Sequence, residues 1–295
     1  MRRFLAIGEC MVEMAPDPDG RYRMGFAGDT FNTAWYMRKL APEAAEIAYM
    51  SAIGDDAISA RMERFMRDAG IVPELAVRAG GTVGLYMISL QDGERSFSYW
   101  RSTSAARRLA DGLKTLPGIA SGDMAYVSGI TVAVLPEPGR IKLFSALEKA
   151  RKMGATIVFD PNLRPALWPS TEAMRDWITR AAATADIVLP SFEDEAHHFG
   201  DTSPQATAAR YKEAGARLCV VKNGDGPILV ASDDNDMTIP PLTAPEVVDT
   251  TAAGDSFNAG FLSALAGGAS PEDAVRMGCE IAVRVIGKRG ALVDL

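Results

Sequence analysis

The strongest constraint on the fold is an alternation along the chain. Short apolar runs at Phe4–Ile7, Ala125–Ser128, Thr156–Phe159, Ile187–Leu189, Leu218–Val221 and Ile228–Ala231 recur between longer stretches with a helical pattern. The helical stretches are Thr30–Lys39, Ile58–Ala69, Pro138–Met153, Thr171–Ala182, Phe192–Phe199, Pro204–Ala214, Asp255–Ala266 and Pro271–Ile286. Gly70, Gly154 and Gly215 stand just past three of them, where a residue free to turn left-handed ends a helix with least strain. Strands alternating with helices predict parallel βαβ units. The expected body is therefore α/β, with helices on both faces of a mainly parallel sheet.

Two regions break the pattern. Val12–Phe26 contains Pro16, Pro18 and Gly20 and has no helical face. Gly81–Arg101 sets Val83, Leu85 and Met87 against Gly84, Tyr86 and Ile88, turns at Gln91-Asp92-Gly93-Glu94, and continues through Phe97 and Tyr99. That reads as strand, turn, strand. These segments, about 11–27 and 81–103, predict a small antiparallel sheet inserted into one domain spanning 1–295, and a sheet over the edge of an α/β body is a candidate lid. No repeat, linker or low-complexity tract interrupts the chain.

Composition narrows the function. At 47% hydrophobic residues, wholesale disorder is excluded. The formal net charge of −7 argues against a duplex-DNA or acidic-membrane binder, so neither nucleic acid nor membrane is expected as a partner. Cys10, Cys219 and Cys279 form no pair or framework, which fits reduced thiols in the cytoplasm. His197-His198 are neighbours that diverge by roughly 100° on a helix, a poor metal pair. Glu9 cuts short the apolar run after Met1-Arg2-Arg3, so no targeting segment is expected.

One segment places small residues and a carboxylate at a helix start: Asp249-Thr250-Thr251-Ala252-Ala253-Gly254-Asp255-Ser256-Phe257-Asn258-Ala259-Gly260-Phe261. Small residues there leave backbone N–H groups bare, and the helix dipole adds positive charge, which suits a phosphate. A carboxylate at that spot makes sense if it accepts a proton from a nucleophile beside the phosphate. On these residues alone, a helix cap with tight packing is the favoured explanation of the segment.

The longer context resembles the C-terminal signature of the ribokinase-like (PfkB-type) sugar kinases, Asp-Thr-x-Gly-Ala-Gly-Asp-x-Phe. Ala252 stands where that family usually has Gly, adding a Cβ near a position prone to positive φ. Gly8-Glu9 resembles the family's opening. Ala27-Gly28-Asp29-Thr30-Phe31-Asn32-Thr33-Ala34 is similar to its Gly-Gly-x-x-x-Asn-x-Ala substrate motif, and Gly54-Asp55-Asp56 to its Gly-x-Asp element. Gly8–Glu13, Tyr99-Trp100-Arg101 and Asp160-Pro161-Asn162-Leu163-Arg164-Pro165 look like the branch acting on 2-keto-3-deoxygluconate. The resemblance covers nearly the whole chain and implies a three-layer α/β/α fold with a β-sheet lid.

It also implies an activity: transfer of the γ-phosphoryl of ATP, with Mg²⁺ on the phosphates, to the 6-hydroxyl of a keto-deoxy sugar acid. Asp255 would take the hydroxyl proton, and the amides of Ala252, Ala253 and Gly254 would hold the phosphoryl. Gly28, Asp29, Asn32, Tyr86, Tyr99, Arg101 and Arg164 form the implied sugar set. Arg101 or Arg164 could pair a carboxylate with both arms, which a neutral sugar would not need. For the nucleotide the resemblance carries over Ser191, Lys222, Gly224 and Gly226, together with Ala252–Gly254. The family's Asn-x-x-Glu, linked to Mg²⁺ through water, reads Ser191-Phe192-Glu193-Asp194 here, and no residue is assigned as a metal ligand. Cys279 and Ala291 fall where relatives carry an adenine-facing Asn and a substrate-binding acid. A lid edge often pairs in this family, so a homo-oligomer is a possible partner state.

No Gly-x-x-x-x-Gly-Lys-Ser/Thr, His-Arg-Asp or Asp-Phe-Gly motif is present, which excludes P-loop and protein-kinase chemistry. The acidic stretch Glu193-Asp194-Glu195 beside the histidines reads as solvent-facing, which disfavours a Ser/His/Asp hydrolase. A fructokinase, a kinase for the galactonate epimer, and a silent sugar-acid sensor on the same fold remain open alternatives.

Overall fold

A computed structural model describes residues 1–17, 19–91, 94–233 and 235–295 of the chain. The first half runs β1 (Arg3–Ile7), β2 (Met11–Pro16), β3 (Tyr22–Ala27), α1 (Asp29–Leu40), β4 (Glu46–Ile53), α2 (Ala57–Asp68), β5 (Val72–Val77), β6 (Leu85–Gln91), β7 (Glu94–Trp100), β8 (Met124–Ser128), α3 (Gly129–Val134) and α4 (Glu137–Lys152). The second half runs β9 (Thr156–Asp160), α5 (Thr171–Ala182), β10 (Ile187–Val188), α6 (Phe192–Phe199), α7 (Pro204–Ala214), β11 (Leu218–Val221), β12 (Ile228–Ser232), β13 (Asp236–Ile239), α8 (Ala253–Ala266) and α9 (Pro271–Ile286).

Nine strands form the large sheet in the order β13-β12-β11-β10-β9-β8-β1-β4-β5. All neighbours pair parallel except β11 with β12 and β12 with β13. Side chains on a strand alternate between faces, and here both faces are buried. Leu5 and Ile7 of β1 join the core built with α4, α5 and α7, whereas Phe4 and Ala6 join the core built with α1, α2, α8 and α9. The result is the expected three-layer body. From β1 the chain moves outward through β4 and β5, then returns to place β8 on the other side of β1. Such a reversal leaves a crevice at the carboxyl ends of the strands, where α/β proteins bind ligands.

Most expected strands and helices form within one or two residues of their predicted ends, and Gly70, Gly154 and Gly215 take positive φ. The differences have physical reasons. β4 interleaves the strand formers Ile47, Tyr49 and Ile53 with Ala48, Ser51 and Ala52, which break up the apolar run. β5 contains Pro73, tolerated because this edge strand pairs only with β4. β13 is a short outer strand. The small sheet, β3-β2-β6-β7, is mixed rather than antiparallel, because β2 pairs parallel with β6. The sequence separation of those two strands requires a crossover through the body, not a hairpin. The turn expected at 91–94 lies partly outside the described residues. No helix among the described residues is long and apolar enough to cross a membrane.

Candidate active site

A cavity of about 870 Å³ opens at the carboxyl ends of β1, β9, β10 and β11, in the size range of small-ligand sites. Its wall draws on residues from Glu9 to Ala291, so nearly the whole chain contributes. Every residue expected in the site lines it except Gly226, which sits in a turn closed by its N–H to the Asn223 carbonyl.

Asp255 lies in the first turn of α8. The helix starts after Ala252, which holds φ 61° and ψ 17° in the left-handed region. A Cβ there costs about 1–2 kcal/mol, which one alanine can bear. The Ala253 amide, expected to be free, donates to the Thr250 carbonyl at 3.1 Å. The amides of Ala252 and Gly254 have no backbone acceptor among the described residues and remain available to an anion. Asp249 anchors the loop, accepting from Thr251 N at 3.1 Å and from Gly290 N at 2.6 Å.

Asn32 connects α1 to this turn. Its Oδ1 accepts from the Gly28 amide at 3.3 Å and its Nδ2 donates to Asp255 Oδ2 at 2.8 Å. Gly28 must lack a side chain, because a Cβ would lie 2.3 Å from the Glu9 carbonyl oxygen. Burial, reinforced by the charges of Asp29 and Asp160, pushes the Asp255 carboxyl up to about 8, against the pull of Asn32 and Lys222. Burial likewise raises the Asp29 carboxyl, which accepts from Asn162 Nδ2 at 2.9 Å.

The remaining sugar-side residues come from β7, its partner β6 and the segment after β9. Tyr86 is buried, and its hydroxyl donates to Glu13, so its proton is committed within the small sheet. Its ring packs on Tyr99, which is 53% exposed. Arg101 is held by the buried Glu9 carboxylate, and its Nε has no hydrogen-bond partner. Arg164 is half-exposed, with Nη1 3.8 Å from Asp194 Oδ2. Glu9, Asp160 and Asn162 are wall residues that were not singled out in the sequence. Asn162 adopts φ 36°, unusual for a non-glycine residue and tolerated best by Asn and Asp, which was the available signal.

On the other side, Ser191 bridges to Lys222, and Gly224, Leu242, Cys279, Ala282, Val283 and Ile286 add a largely apolar wall. Cys279 and Ala291 both line the cavity. The acidic stretch of α6 faces solvent as expected only at Glu193. Asp194 lines the cavity, and Glu195 is fully buried, accepting from Tyr211 at 2.9 Å and from Arg210 at 2.7 Å. The charged wall residues are Glu9, Asp29, Asp160, Asp194, Asp249 and Asp255 against Arg101, Arg164 and Lys222. An acid excess of this kind calls for an added cation beside a polyphosphate.

A sequence profile of the pfkB family carbohydrate kinases matches residues 1–295. The chain belongs to the PfkB family of carbohydrate kinases. Among relatives of this PfkB kinase, 2-dehydro-3-deoxygluconokinase from Dickeya dadantii (strain 3937) is 37% identical over 98% of this chain and 96% of its own. The enzyme of that name from Escherichia coli (strain K12) is 35% identical over 99% and 97%. Among solved structures, aminoimidazole riboside kinase from Salmonella enterica, complexed with aminoimidazole riboside and an ATP analog, superposes with a TM-score of 0.85 at 21% identity, covering 99% of this chain and 96% of that one. The ribokinase-like fold follows, and with the family, ATP-dependent phosphorylation of a sugar hydroxyl.

Proposed function

We propose that this PfkB kinase is a 2-dehydro-3-deoxygluconokinase. It transfers the γ-phosphoryl of ATP to the 6-hydroxyl of 2-keto-3-deoxygluconate. The observation that carries the reading is Asp255 in the first turn of α8, with the bare Ala252 and Gly254 amides beside it and two arginines on the facing wall. The full-length relatives named above support the substrate.

In this reading the sugar hydroxyl oxygen bonds to the γ-phosphorus as the bond to ADP breaks, and the hydroxyl proton passes to Asp255. The Ala252 and Gly254 amides and the α8 dipole stabilise the charge that grows on the phosphoryl oxygens. Arg101 and Arg164, both on the cavity wall, offer their guanidinium groups to the sugar carboxylate, fixing the far hydroxyl in line. Ser191, Lys222 and Gly224 border the nucleotide. Among the described residues no group of three side chains could cage a metal; Mg²⁺ would bind phosphate oxygens and water, and the cavity-lining Asp194 would be available to hold one of those waters. When bound, the ion neutralises charge on the phosphates. The small sheet acts as a lid that keeps water from competing as acceptor. Trp100, exposed on the face of β7 opposite the cavity-lining Phe97 and Tyr99, would be covered in a homo-oligomer formed through the lid, which sedimentation would reveal as a dimer.

ADP release with 2-keto-3-deoxygluconate, its galactonate epimer and fructose tests the reading. The sugar acids should give far higher kcat/KM than fructose. A preference for fructose would overturn the substrate, and no release with any acceptor would favour the silent sensor.

A further inference from the structure

A buried polar cluster below the first turn of α8 is unused so far. Asp160, at the end of β9, is 4% exposed and its carboxylate is saturated. Oδ1 accepts from the Asn162 amide at 3.1 Å. Oδ2 accepts from Asn258 Nδ2 at 2.6 Å, Lys222 Nζ at 3.3 Å and Tyr126 OH at 3.5 Å. Asn258, one turn after Asp255 on α8, is fully buried. Its Nδ2 lies between Asp160 and Tyr126 OH, so its orientation is fixed and Oδ1 is left for Lys222 Nζ at 3.2 Å. A Cβ on Gly254 would lie 3.7 Å from the same Nζ. The ammonium therefore rests against the backbone whose amides would hold the phosphoryl group.

We propose that Asp160, together with Asn258, is a positioning residue that fixes the Lys222 ammonium beside the Gly254 backbone, where it meets the phosphoryl group in transfer. Lysine is a point charge on a flexible stem and needs anchoring to act as a preorganised partner. Two of its three protons are taken by the anchors and the third is free for the cavity that Lys222 lines. Asn258 is fully buried and off the cavity wall, so it cannot bind substrate itself. The inference rests on the reading of Asp255 as the base and adds a second group on the reacting atoms.

The same cluster faces Asp255. Asp29 from α1 and Asp160 from β9 oppose its charge, while Asn32 from α1 and Lys222 after β11 favour it. Tyr126 from β8 and Tyr36 from α1 feel its field as phenols raised chiefly by burial. Loss of Asp160 should therefore ease deprotonation of Asp255, and loss of Lys222 should hinder it.

The test is steady-state kinetics from acid to alkaline pH on the full chain. It compares wild type, Asp160→Asn, Lys222→Met and the double variant, with whichever acceptor wild type phosphorylates best. Asp160→Asn should lower kcat about 10- to 100-fold while both KM values stay within about threefold. The rising limb of kcat/KM should move to higher pH in Lys222→Met, and in the double variant it should move back no further than loss of Asp160's own charge allows. The double variant should be no slower than Lys222→Met alone, because the anchor has nothing left to hold. Additive losses would overturn the assignment while leaving the kinase reading intact. A wild type inactive toward every acceptor would overturn both. If Asp160→Asn does not fold, Asn258→Ser carries the test: its kcat loss must vanish in the Lys222→Met background.

Discussion

The Asp255 carboxyl, bonded to Asn32 at 2.8 Å and pushed up to about 8, still holds its proton in much of the free protein at neutral pH. A base must shed that proton first, so kcat/KM of wild type should rise with pH toward 8 rather than level off near 5. Asp255→Asn should lower kcat by about 100-fold or more with sugar binding kept, as measured by turnover and calorimetric titration. Stability moves the opposite way. A carboxyl whose folded pKa lies above its unfolded value holds extra protons in the folded state between the two, so its contribution is present in acid and lost as pH rises through 8. The Asn variant avoids this loss, and its Tm should exceed that of wild type by more at pH 8 than at pH 5. Arg164→Ala should raise KM for the sugar acid about tenfold and leave a neutral sugar unchanged. Equal loss for both would remove the arginine from carboxylate recognition.

Helix α8 delivers four elements of the site from one segment: the left-handed Ala252, the bare Gly254 amide, Asp255 and the Asn258 anchor. Its direction is set by α9, which it meets through Gly260 and Gly278. A Cβ on Gly260 would lie 2.9 Å from the Gly278 Cα and 3.0 Å from the Met277 carbonyl oxygen, both backbone atoms that cannot swing aside. Gly260→Val should therefore force the helices apart at a cost of about 1–3 kcal/mol. A lower Tm together with a lower kcat would show that α9 aims the phosphate end of α8. Unchanged kcat despite the lower Tm would show that it supplies stability alone.

Across the whole molecule, the wall carries six carboxylates and three cations, so a nucleotide enters an already acidic cavity. Removing divalent metal with a chelator should abolish ADP release and leave sugar-acid binding intact, since the arginines and Asn32 need no ion. The α/β class was legible because each strand buried on both faces announces itself as an apolar run. Pro73 and the Ala and Ser residues of β4 concealed two strands because they break up the apolar run that marks the others. That Asp255, Arg101 and Arg164 belong to the cavity wall was legible because they sit in local motifs. Asp160 and Glu9 stood in such motifs and Glu195 in none, but the burial of all three was not legible, because a carboxylate in a sequence carries no sign of whether it will be solvated or enclosed. Local spacing thus determined the layers, the helix ends and the phosphate-facing turn, since these depend on neighbours a few residues away. Only the tertiary structure decided that Asp160 and Asn258 enclose the Lys222 ammonium beside that turn, because the three come from β9, α8 and the position just after β11 and meet only when the chain is folded.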